Sequence, residues 1–183
     1  MQSQSSFEIR KANTNQLFSQ LVKDIESKTG DEQNWKDRLQ HVISLYEGCI
    51  NVAQTNHEKS MIHKNLIKVY RFCCMTYSDP EAKLLYFDEM ISNASEAIYR
   101  GSDTQKHEWT ISIIEQGEAW HALLCQILEE QTCEYRADYY EKVFLRCNKY
   151  SVCLLFMLAH RLADAYFKFS VKLSEEKKDK QAN

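Results

Sequence analysis

Glu118-Ala119-Trp120-His121 is the stretch whose residue types come nearest to metal chemistry. A carboxylate and an imidazole three residues apart on a helix share a face and can bind one ion. A di-iron bundle site also needs a second Glu-x-x-His and two further inward glutamates, and the chain has no second such motif. The simpler expectation is a polar helix face beside a buried Trp120, so no metal or other cofactor is expected. A metal or small-ligand bundle built on Glu118 and His121 is the alternative. His57 and His63 fall on different faces of one helical pattern, and nothing in the sequence fixes the neighbours of His41 and His160. Cysteines and histidines are both present, but no local motif brings a pair together as nucleophile and base. No glycine-rich phosphate loop and no serine elbow occurs. Catalysis is therefore not expected.

Lys64, Lys68 and Arg71 recur at helical spacing, with Lys59 and His63 nearby, and form a local basic stripe. Such a stripe can contact phosphates or an acidic peptide. The simpler expectation is a solvated face paired with Glu81, Asp88 and Glu89 further along the chain. Nucleic acid is not the expected partner, because its recognition wants exposed stacking aromatics and most aromatics here fall at core spacing. Binding through this third helix stays as a further alternative. Ten tyrosines, eight phenylalanines and three tryptophans exceed what one face per helix buries. The pairs Tyr139-Tyr140, Tyr86-Phe87 and Tyr166-Phe167 point in adjacent directions, so some of these rings should reach the surface. A two-sided core would absorb the same surplus. Lys64, Lys68, Arg71, Tyr139 and Tyr140 are the residues expected to bind a partner.

The elements that must position these residues are helices. Glycine (4) and proline (1) are scarce, and no alternating strand pattern bounded by turn clusters appears. A first helix is expected from Ser6 to about Ser27 with Ile9, Leu17, Leu21 and Ile25 on its apolar side, ended by Lys28-Thr29-Gly30. Asp31 should cap a second helix carrying Trp35, Leu39, Val42, Tyr46, Cys49, Ile50 and Ala53. Gly48 interrupts that pattern, and close helix packing is the expected compensation. After a polar break at residues 54–57, a third helix places Ile62, Leu66, Val69, Cys73 and Tyr77 on one side. Ser78-Asp79-Pro80-Glu81 is the sharpest boundary, with Asp79 as N-cap and Pro80 in the first turn of a fourth helix. That helix carries Leu84, Phe87, Ile91, Ala94 and Ile98, and Gly101 is expected to close it in a left-handed conformation.

A fifth helix, about 104–130, carries Trp109, Ile113, Gln116, Trp120, Leu124 and Ile127. A further pattern runs from Tyr135 to Leu173, ~59 Å at the helical rise, with a kink expected near Asn148. Its part from Phe144 to Phe169 is the most apolar of the chain and reads as a central helix. Only nine consecutive residues there, Ser151 to Ala159, lack a charge, whereas a membrane span needs about 20 apolar residues. No membrane partner is expected. Trp120-x-x-Leu123 with Ala137 is a fragment of the tetratricopeptide pattern, but Leu124 breaks it and no second copy follows.

The expected architecture is all-α, six or seven antiparallel helices in stacked hairpins. It forms one domain over residues 6–174, between a disordered start (1–5) and a frayed charged tail (175–183). Seven cysteines without a CxxC pair read as core thiols in a reducing compartment, and the first residues carry no secretory signal, so cytosol or nucleus is expected. Asn93-Ala94-Ser95 then matches the glycosylation pattern by chance. The net charge of −3 gives no global pull toward polyanions. These observations predict a non-enzymatic helical scaffold that binds a helix or short linear motif of a protein partner in a groove between hairpins. Self-association through the same apolar surface is also expected.

Overall fold

The computed structural model describes residues 6–129 together with residues 135, 138, 139, 141, 167, 171 and 174. Side chains of residues 110, 113–115, 117, 118 and 121 lie outside that description. The described residues are all-helical. Five helices follow in order: α1 (Ser6–Glu26), α2 (Glu32–Val52), α3 (Asn56–Thr76), α4 (Pro80–Arg100) and α5 (Asp103–Ile127). Residues 135, 138, 139, 141, 167, 171 and 174 are also helical. Of the expected central helix only Phe167 is among the described residues, helical and exposed, and the expected kink at Asn148 lies outside them. No helix among the described residues is long and apolar enough to cross a membrane.

The helix boundaries follow from local chemistry. The Asp31 carboxylate accepts from the Asn34 N–H at 2.8 Å and starts α2. Thr55 and Glu58 form a reciprocal capping box at the start of α3. Asp79 accepts from the Ala82 N–H at 3.0 Å, and Pro80 opens α4, where a missing N–H costs nothing. After α1 the chain turns through Lys28 (φ 54°) and Gly30 (φ 99°), both left-handed. Gly101 departs from its expected left-handed role. Its φ is −64°, and space explains the glycine: an added Cβ would lie 3.3 Å from both the Ala97 carbonyl oxygen and the Gln105 Cβ.

The chain divides into two compact units, residues 1–109 and 110–183, with the boundary inside α5. In the first unit, α3 and α4 form the most extensive pairing, and α2 packs on both α1 and α3. Cys74 with Lys83, Tyr70 with Tyr86, His63 with Asn93 and Ser60 with Ala97 meet in reverse order along α3 and α4, so this pair is antiparallel. Arg38 with Asp24 and Tyr46 with Asn15 show the same for α1 and α2. Small buried residues, Ser60, Cys73, Ala94 and Ala97, allow the close approach of α3 to α4. The Ser60 hydroxyl donates to the Ala97 carbonyl, which satisfies a polar group inside that contact. Leu21, Leu39, Tyr46, Ile62, Val69 and Phe87 lie in the core of this unit.

One apolar face and one glycine differ from expectation. Ile9 and Leu17 of α1 are about half exposed, whereas Phe7, Thr14 and Leu21 are buried. Thr14 tolerates burial because its hydroxyl donates to the Arg10 carbonyl one turn earlier. Gly48 of α2 has open space around the position of an added Cβ, so close packing is not its reason.

Candidate functional site

The basic row is real as geometry. Lys64, Lys68 and Arg71 lie along one side of α3, Lys68 exposed and the other two half-buried, and Met75, 62% exposed, follows one turn on. The Lys64 ammonium lies 5.4 Å from the centroid of the Trp109 ring, a cation–π contact that gives this residue a partner at the start of α5. None of the three pairs with Glu81 or Glu89 among the described ion pairs. Tyr139 is buried, and Tyr140 lies outside the described residues. Within the first unit the structure places the three basic residues on one row of α3, and Tyr139 belongs to the second unit.

Of the residues weighed for metal chemistry, Glu118 and His121 both lie in α5, and their side chains are outside the described residues. Among the described residues no group of three or more histidine, cysteine, aspartate or glutamate side chains is placed to hold a metal. His63 is half-buried, with its Nδ1 at 2.8 Å from the Asn93 Oδ1. Burial holds the His63 imidazole below its ordinary pKa, partly opposed by the Asn93 hydrogen bond. Asn93 and Ser95 are themselves buried inside α4, where glycosylation would have no room. Cys49, Cys73 and Cys74 are buried free thiols, and Cys125 is exposed. Burial pushes the Cys74 thiol up to about 12 and raises Cys73 as well, so both are poor nucleophiles at neutral pH.

A different place in the first unit has the shape of a site. An open groove of about 330 Å³ lies between α2 and α4, with α3 beneath it. Ile43, Tyr70 and Tyr86 supply its apolar lining, and Leu85 on its rim is 60% exposed. The Tyr70 and Tyr86 rings stack with centroids 6.1 Å apart, and Tyr77 meets Tyr86 edge-on at 4.8 Å. Gln40 of α2 donates to the Tyr86 hydroxyl of α4 at 2.6 Å and ties the two walls together across α3. Glu47 on α2 and Glu89 on α4 also line the groove. Tyr70 is held well above the ordinary phenol pKa, first by burial and then by the charges of Glu89 and Glu47.

Sequence reading missed this groove. Its lining residues lie on three helices, and each alone looks like an ordinary boundary residue. The Tyr86-Phe87 pair was the one available signal: Phe87 enters the core while Tyr86 turns to the groove. The chain matches no protein-family model, no curated protein and no solved structure.

Proposed function

We propose that this protein is a non-enzymatic helical interaction module that seats a partner helix or short linear motif in the groove between α2 and α4. The observation that carries this reading is Leu85, a large apolar side chain 60% exposed at the rim of an aromatic-lined concavity. A concavity in which Ile43, Leu85 and two tyrosines alternate with the polar side chains of Gln40, Ser44, Glu47 and Glu89 suits a segment that inserts one or two amphipathic side chains. The stacked tyrosines and the Gln40 bridge hold the walls in place, which reduces the ordering needed on binding. Buried free thiols at Cys49, Cys73 and Cys74 accord with a reducing cytosolic or nuclear setting.

Leu85→Asp places a charge on the apolar rim and should remove a stoichiometric partner from a quantitative pull-down while leaving the melting temperature within a few degrees of wild type. Unchanged capture by a folded Leu85→Asp protein would end this reading. The row Lys68, Arg71 and Met75 supports a second reading, a helix face for an acidic segment or a polyanion. That reading predicts binding that weakens steeply with salt and on neutralising Lys68 and Arg71, with Leu85 immaterial.

A further inference from the structure

The groove combines features that select a particular kind of side chain. Glu47 and Glu89 face it from opposite walls, are exposed, and form no ion pair with lysine, arginine or histidine among the described residues. Tyr70 beneath them is only 6% exposed and lines the floor of the groove. Both carboxylates act electrostatically on that hydroxyl, which places it within their field. The two carboxylates only accept and the phenol oxygen can accept as well as donate, and they are set beside stacked aromatic faces. A guanidinium offers five N–H donors, carries a permanent charge and stacks on aromatic rings; an ammonium matches the charge but not the planar fork. At about 330 Å³ the groove is at the low end of ligand cavities, which run roughly 300–1,000 Å³, and suits an inserted side chain better than a large cofactor.

We propose that the segment bound in this groove is basic, and that it inserts an arginine between Glu47 and Glu89 with its aliphatic stem against Leu85 and Ile43. This rests on the groove reading above and names the chemistry of its occupant. The charge pattern excludes an acidic segment here, because two carboxylates would repel it.

The test selects binders for the full chain from a displayed library of randomised peptides and repeats the selection on Glu47→Gln/Glu89→Gln and on Leu85→Asp, each verified as folded by circular dichroism. Selected peptides should share one arginine, and synthetic versions should lose at least about tenfold in affinity when that arginine is replaced by citrulline, its uncharged isostere. The double glutamine variant should erase the difference between arginine and citrulline. Binders that lack a basic residue yet fail on Leu85→Asp would overturn the arginine assignment and leave the groove reading standing. Binders indifferent to Leu85→Asp and to the glutamine variant would overturn both. Concentration-dependent association of the unliganded chain in sedimentation, lost in the double glutamine variant, would make a second copy the occupant and overturn the proposal as stated.

Discussion

His63 shows how a single buried contact sets a pH dependence. Asn93 donates through Nδ2 to the Glu89 carbonyl at 2.9 Å, which orients its amide so that Oδ1 faces the imidazole. The imidazole Nδ1 must then carry a proton and donate, and Nε2 is the atom left to titrate. Burial lowers the folded-state pKa below 6.5, with Asn93 and Glu96 opposing and Arg100 reinforcing the shift. The unfolded chain therefore takes up the proton first as pH falls. The stability contributed by neutral His63 is fully present above 6.5 and is lost as pH drops through 6.5 toward the folded-state pKa. Thermal melts between about pH 5 and 8 should show this loss, and His63→Gln should flatten the profile in that window. An unchanged slope in the variant would show that other groups set it.

At the scale of the helix, Gly48 sits in the middle of α2 with a helical backbone and free space where a Cβ would go. Gly48→Ala should stabilise the protein by about 1 kcal/mol, measured by urea denaturation, because it removes backbone entropy from the unfolded chain without a clash. Destabilisation would mean that α2 needs its glycine. The same residue marks a limit of sequence reading. A glycine in a helical pattern signals a cost, but whether a neighbouring helix fills the gap depends on how helices pack. Gly101 marks the same limit, because either a left-handed φ or a lack of space can require glycine, and here it is the space beside Ala97 and Gln105. Caps were legible at Asp31 and Asp79-Pro80, where the side chain and its N–H partner lie within three residues. The α3 and α4 core stripes were legible as well, since burial at Leu66, Cys73, Phe87 and Ala94 follows the helical period. The face of α1 was misjudged because a satisfied Thr14 can be buried where a leucine is left outside. Of the candidate site, Lys64, Lys68 and Arg71 could be read as one row from their spacing alone. The groove could not, because Gln40 and Tyr86 are far apart in sequence and meet only once α2 and α4 flank α3.

At the scale of the molecule, residues 1–109 contain their own core, built from α1 to α4 around Leu21, Tyr46, Ile62 and Phe87. A fragment ending at Trp109 should retain helical circular dichroism and a single cooperative melt. A broad, non-cooperative transition would show that the remainder of the chain is needed to fold it. Within this unit the polar contacts that cross between helices are few and specific. Asn15 of α1 accepts from the Tyr46 hydroxyl of α2 at 2.7 Å and from the Asn65 amide of α3 at 3.2 Å, joining three helices at one atom. The turn from Tyr77 to Asp79 has a kinetic meaning. Only these three residues separate the longest paired surface in the unit, so closing α3 on α4 confines little chain and recruits no distant segment. The folding transition state is then organised most readily around this hairpin, with α1 and α2 condensing on it afterwards.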